Sequence, residues 1–146
     1  MPYDLWEGIE EWRVASVVLS GSGTVCRVLA PKGKKVVLAS VSASRPASPA
    51  SAYLTVDRDG VDEVLDLDLY CLPGLDFDAQ LRVVSLERLE VELDVRTSGE
   101  YRVRVSYGIG RITIPEKIRW GIELSPDERS IAEEENLFDR VRAGLA

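Results

Sequence analysis

Residues 89–107 read LEVELDVRTSGEYRVRVSY, and this stretch decides the fold class. Leu89, Val91, Leu93 and Val95 alternate with Glu90, Glu92, Asp94 and Arg96. After Thr97-Ser98-Gly99-Glu100 the alternation resumes, with Tyr101, Val103, Val105 and Tyr107 set against Arg102, Arg104 and Ser106. Period-two alternation on both sides of a Gly-containing turn predicts two antiparallel strands joined as a hairpin, each with one apolar face to bury. Keeping both apolar sets on one face requires an even register. Opposing Val95 to Tyr101 and Leu93 to Val103 also sets Asp94 against Arg102 and Glu92 against Arg104. Opposite charges across a strand pair stabilise it by roughly 0.2–1 kcal/mol, so this register is preferred, with a loop over residues 96–100.

Outward from this stretch the rhythm stays β. Residues 13–20 (RVASVVLS), 24–30 (TVCRVLA) and 34–42 (KKVVLASVS) read as strands, with turns at Gly21-Ser22-Gly23 and at Pro31-Lys32-Gly33, the latter as a type I turn with Pro second. Residues 43–52 (ASRPASPASA) hold two prolines among Ser and Ala and predict an exposed loop. Residues 53–57, 63–70 and 81–85 are further strands, separated by Asp57-Arg58-Asp59-Gly60 and by a type II turn at Leu72-Pro73-Gly74-Leu75. The last strand runs on through Gly108-Ile109-Gly110 to Ile114, where two glycines predict a bulge or bend. Residues 115–120 (PEKIRW) then form a short helix ended by Gly121. Ser125-Pro126-Asp127-Glu128 is a capping box with Pro at the first helical position, and it predicts a helix over 126–142. At the other end Asp4 and Glu7 resemble a second capping box, and Leu5, Ile9 and Trp12 share a helical face, so a short amphipathic N-terminal helix or arm is expected.

The expected architecture is therefore mainly β: a single antiparallel β-sandwich, with a jelly roll as one option, carrying a short N-terminal helix or arm and a C-terminal helix. Residues 1–12 form the N-terminal arm, 13–114 the sandwich and 115–146 the C-terminal helical arm.

Composition narrows the function. The 146 residues hold 18 Lys and Arg against 25 Asp and Glu, a net charge of −7. The excess sits in residues 1–100, with 10 basic and 17 acidic side chains, while residues 101–146 hold 8 of each. An acidic body disfavours nucleic acid or anionic membrane as a general partner. Apolar runs are too short to span a bilayer, and the acidic N-terminus lacks the features of a signal peptide, so the expected location is the cytoplasm or a particle. Histidine is absent, which removes the commonest general base and metal ligand. Cys26 and Cys71 form no C-x-x-C motif and read as two buried thiols or as one disulfide. A single Asn (Asn136) and a single Gln (Gln80) among many charges point to a thermophilic source.

Three sets of candidate residues remain. Asp57, Asp59 and Asp62 cluster at one turn, where carboxylates between strands can hold a cation. The spacing is not that of an EF-hand, and a solvated turn is the expected state; this set underlies the reading of a calcium- or carbohydrate-binding module. Trp6 and Trp12 near the N-terminus, with Ile131, Phe138 and Val141 on the C-terminal helix, are the expected interface to a neighbouring subunit. Finally, residues 105–119 (VSYGIGRITIPEKIR), followed by Gly121-Ile122-Glu123-Leu124, resemble the DNA-binding core of AbrB-type regulators, in Gly110, Arg111, Ile112, Ile114, Pro115, Ile118 and Arg119. The resemblance implies a swapped-hairpin dimer with Arg111, Lys117 and Arg119 on DNA phosphates. The favoured function is a non-catalytic structural or assembly protein, with no cofactor, that binds itself or another structural protein in a homo-oligomer or coat-like assembly. The DNA-binding regulator is its rival.

Overall fold

The computed structural model describes residues 4–44, 52–65, 77–95 and 100–145. Eight strands come first: β1 Ile9–Leu19, β2 Gly23–Leu29, β3 Lys34–Ser44, β4 Ala52–Arg58, β5 Val61–Leu65, β6 Phe77–Ser85, β7 Arg88–Val95 and β8 Tyr101–Arg111. Three short helices follow, α1 Ile114–Trp120, α2 Pro126–Glu134 and α3 Leu137–Arg142. The strands form two antiparallel four-stranded sheets, ordered β1-β8-β3-β6 and β2-β7-β4-β5. This is a sandwich with the jelly-roll order, in which the chain passes repeatedly from one sheet to the other.

That order corrects the hairpin. β7 and β8 keep the expected alternation, and Leu89, Val91 and Leu93 on one and Tyr101, Val103 and Val105 on the other are all buried in one core. They are not hydrogen-bonded to each other. β7 lies between β2 and β4, and β8 between β1 and β3. The two apolar faces meet across the core instead of lying side by side. Asp94 and Glu92 are thereby separated from Arg102 and Arg104, on the outer sides of opposite sheets. Alternation shows which side of a strand is apolar; the same side is buried whether the next strand is a lateral or a facing neighbour. The β1–β2 and β2–β3 connections also cross between sheets. In the latter, Lys34 N–H donates to the Pro31 carbonyl at 2.9 Å, so the turn spans residues 31–34, one residue later than expected.

Among the described residues, β4 and β5 are the only consecutive strands that pair, through Arg58 opposite Val61. Asp59 (φ 54°) and Gly60 (φ 87°) both take left-handed backbone, as a two-residue type I′ loop requires. Residues 66–76, including the expected turn at Pro73-Gly74, and the loop over 45–51 lie outside the described residues.

Both terminal helices differ from expectation. At the N-terminus the Asp4 side chain accepts from Trp6 N–H at 3.0 Å, but the chain makes only turns before β1 begins at Ile9. Gly8 sits at φ +88° and directs the chain across β8. The crossing explains the two glycines of β8. A Cβ on Gly110 would lie 2.2 Å from the Gly8 carbonyl oxygen, and one on Gly108 2.9 Å from Ile9 Cγ2 and 3.2 Å from the Trp12 ring. The expected irregularity falls on β1, with a register shift between Ile9 and Glu11. At the C-terminus the capping box is formed, Glu128 N–H donating to Ser125 Oγ at 3.2 Å and Ser125 N–H to Glu128 Oε1 at 3.0 Å. The helix does not run unbroken to residue 142. Asn136 adopts left-handed backbone at φ 57° and separates α2 from α3, a conformation that Asn tolerates better than most residues. The break turns Leu137 inward, and Ala132 and Leu137 are the buried residues of the two helices.

Val103 lies on the inner side of β8 and Arg102 beside it on the outer side. Val103→Asp places an unpaired carboxylate in the core and is expected to unfold the domain, whereas Arg102→Asp is expected to cost no more than about 1 kcal/mol. Equal losses in thermal melts would show that the two faces are misassigned.

Candidate assembly surfaces

One end of the first sheet is closed by a buried ion pair. Lys35 on β3 and Glu116 on α1 are both 0% exposed, and Lys35 Nζ donates to Glu116 Oε1 at 2.6 Å and Oε2 at 2.7 Å. Its three N–H groups are shared among four acceptors, the other two being the carbonyls of Leu5 (3.0 Å) and Glu7 (2.8 Å) in the N-terminal turn. Glu116 Oε1 also accepts from Thr113 N–H and Thr113 Oγ1, each at 3.0 Å. Thr113-Ile114-Pro115-Glu116 is thus a second capping box, one that the sequence reading of this helix passed over although its T-x-x-E spacing is legible. With no solvent access the pair has no route to a substrate. Its role is to fasten three segments together.

Beside it, the outer side of β1 carries Trp12, Val14 and Val18, exposed by 56%, 60% and 58%. By register these stand beside Gly108, Ser106 and Arg102 of β8. Trp12 packs over Gly108, and Trp6 tilts against it with ring centroids 5.6 Å apart. β1 is an edge strand, paired on one side only among the described residues. The expected interface residues of the C-terminal helices lie on a separate surface. Ile131 and Phe138 are exposed and Val141 half-buried. A cleft of about 880 Å³ runs between these helices, the N-terminal turn and the end of β8; its lining includes Ile131, Leu137, Arg111 and Arg140.

The segment that resembles AbrB-type regulators does not form their swapped hairpin. β8 is hydrogen-bonded on both sides within its own sheet, and after Gly121 no strand follows before the Ser125 cap. Ser125-Pro126 starts a helix where the regulators have a closing strand. Lys117, expected on phosphate, is held by Glu128 at 2.9 and 2.7 Å, and this contact, with the Ser125 cap, keeps the Glu128 carboxyl below its ordinary pKa. Arg111 and Arg119 are exposed.

At the acidic turn, Asp57 Oδ1 accepts from Gly60 N–H at 3.0 Å and Oδ2 lies 3.4 Å from Arg88. Asp59 reaches across to the β6–β7 turn and accepts from the N–H groups of Leu86, Glu87 and Arg88 at 2.8–3.0 Å. Donors of N–H therefore occupy the oxygens through which these two carboxylates would bind a cation. The backbone of Asp62 pairs with Asp57 in register; its side chain lies outside the description. Cys26 is a free, half-buried thiol that burial pushes up to about 11, and Cys71 lies outside the described residues.

No family model matches the sequence, and no curated protein is similar to it. Solved structures align with part of the chain at low identity. A subviral particle of infectious bursal disease virus VP2 aligns with a TM-score of 0.49 and 10% identity, over 70% of this chain and 33% of the virus chain. The capsid structure of the Helicobacter pylori bacteriophage KHP30 aligns at 0.46 and 14%, over 68% of this chain and 89% of the other. A pentameric capsid protein from metagenomic phage sequences aligns at 0.31 and 15%, over 68% and 61%. The chain spans about a third of the length of the bursal disease virus protein. Among the described residues no helix is long and apolar enough to cross a membrane.

Two predictions follow from the polar contacts. Removing one partner of a buried pair strands the other charge, so Lys35→Met is expected to cost about 3–5 kcal/mol, and Lys35→Met with Glu116→Leu less than the two single changes summed; additive losses in denaturant titrations would mean the groups are not coupled. At Asp59 burial raises the carboxyl pKa, but the three backbone N–H bonds outweigh it and hold the group below its ordinary value. A depressed folded-state pKa contributes stability that is present above the unfolded value of about 4 and is lost as pH falls through the folded one. Asp59→Asn keeps the left-handed turn but not the charge. It is expected to melt lower than the parent at pH 7, with the gap closing as pH falls through the carboxylate range; a gap independent of pH would refute the assignment.

Proposed function

We propose that the chain is a non-catalytic structural protein that self-associates, as a subunit of a homo-oligomer or coat-like assembly incorporated into a particle. The observation that carries this reading is the outer side of β1. Natural edge strands are guarded by charges, prolines, bulges or a covering segment, because unpaired backbone groups beside apolar side chains invite another chain to pair. Among the described residues β1 has such guards only in its first half, where the register shifts between Ile9 and Glu11 and where Arg13 is held by Glu11 at 2.8 and 3.0 Å. From Val14 to Leu19 there is no charge and no proline, and Val14 and Val18 are exposed. An exposed apolar row on an open edge fits a surface that is covered in use. The coat-like form of the assembly is an analogy from the jelly roll, a fold that also serves lectins and cupins.

Size-exclusion chromatography with light scattering tests this. The parent chain is expected to elute above the monomer mass, and Val14→Glu with Val18→Glu to shift it toward the monomer without lowering the melting temperature. A parent chain that stays monomeric at every concentration would refute self-association. A mass that rises only with added calcium or duplex DNA would replace it by a binding module or a regulator.

A further inference from the structure

The described residues leave four edge strands, and three of them carry charge along their length: Arg27 in β2, Asp62 and Glu63 in β5, and Asp78 and Arg82 in β6. Such charges are the ordinary guard against pairing with another chain. β1 differs. Its segment Val14-Ala15-Ser16-Val17-Val18-Leu19 is uncharged throughout. Val14, Ser16 and Val18 are exposed on the outer side of the sheet, while Ala15, Val17 and Leu19 are half-buried against the core.

Resting on the self-association reading, we propose that two copies join edge to edge through β1, antiparallel about a two-fold axis at Ser16, making one eight-stranded sheet. The segment is its own complement. About Ser16 the outer side reads Val14, Ser16, Val18 in either direction. Each Val14 therefore meets Val18 of the second copy, and Ser16 meets its own counterpart. On the inner side Ala15 meets Val17 by the same symmetry. Apolar β-branched pairs and hydroxyl pairs are among the cross-strand contacts that stabilise a sheet. Neighbouring registers match less well. An axis at Ala15 would set Glu11 against Leu19 and Arg13 against Val17; an axis at Val17 would set each outer valine against a serine. Pairing β1 with β6 of a second copy would set the uncharged segment against a strand that holds Asp78 and Arg82.

The surroundings of the seam agree. Arg104 of β8 stands beside Ser16. In the joined sheet it lies three strand spacings, about 14 Å, from its copy, further than the screening length of roughly 8 Å at physiological salt. Trp12 falls opposite Ser20 and next to Gly21, where an added Cβ would meet nothing within 4 Å, which leaves room for the exposed indole. The contact closes at two copies, because each β1 is covered by the other.

Charge placement on the full chain tests the register. Val14→Glu with Val18→Glu sets two like-charged pairs across the seam and is expected to raise the dimer dissociation constant on the order of tenfold or more. Val14→Lys with Val18→Glu sets two opposite pairs there and is expected to stay within a few-fold of the parent. Positions 14 and 18 of one strand are about 13 Å apart and so pair only between copies. A second measurement is covalent. In a chain carrying Cys26→Ser and Cys71→Ser, Ser16→Cys is expected to be joined to its copy by a thiol-specific cross-linker just long enough to span neighbouring strands, whereas Arg104→Cys is not. Circular dichroism melts verify that each variant folds. If the parent assembles, but the oppositely charged variant dissociates like the like-charged one and Ser16→Cys does not cross-link, the edge pairing is refuted while self-association stands. An assembly with an odd number of subunits refutes it in the same way. If the parent is monomeric at every concentration, the self-association reading fails and the pairing with it.

Discussion

The Lys35–Glu116 pair is the constraint around which the rest of the structure is arranged. An ammonium and a carboxylate removed from water are tolerable only when each is fully met by partners. Here that demand draws three distant segments to one point: the N-terminal turn through the carbonyls of Leu5 and Glu7, β3 through Lys35, and α1 through Glu116 and its Thr113 cap. For the N-terminal turn to reach the ammonium it must cross β8 at backbone distance, which is why residue 110 is glycine, while Gly108 leaves room for the Ile9 and Trp12 side chains. The crossing in turn starts β1 at Ile9 and leaves Trp12 on the outer side of the sheet over Gly108. What was expected to be an arm is thus held to the body by the most deeply buried charges among the described residues.

The second organising fact is that the chain alternates between sheets. Each crossing places a strand opposite its sequence neighbour, so that apolar rows interlock across a single core in which Val36, Leu38, Leu54, Val56, Leu89, Val91 and Val105 are fully buried. Among the described residues such an arrangement leaves four edge strands, β1, β6, β2 and β5. β1 is long, and its second half is unguarded, which is costly for a chain that stays alone. Its exposed row of Trp12, Val14 and Val18 is the feature on which the proposed contact with another chain rests.

The outer faces make a related point. Within a hairpin, Glu92 and Asp94 would have been satisfied by Arg104 and Arg102. In the sandwich the same rows lie on opposite outer sides and find no partner in each other.

Much of this was legible along the chain. Alternation at residues 89–94 and 101–107 identified the buried and outward positions there correctly, because a strand with one apolar side must bury that side in any sandwich. Ser125-Pro126-Asp127-Glu128 marked a helix start, because the cap satisfies its own backbone within four residues. Partner choice was not legible: whether β8 lies beside β7 or across from it depends on where β1 and β3 settle, and those contacts are far apart in sequence. Leu5, Ile9 and Trp12 carried helical spacing but were claimed by a turn and a strand once Lys35 and Gly110 drew the N-terminus across the sheet. The surfaces divide in the same way. The sequence by itself determined which residues are apolar and which charged, since period and composition are local properties. Only the tertiary structure decided that, among the described residues, the apolar row of β1 lies on an edge strand and that Arg102 and Arg104 stand on the opposite face from Glu92 and Asp94, because edge and face are properties of sheet order, which long-range packing sets.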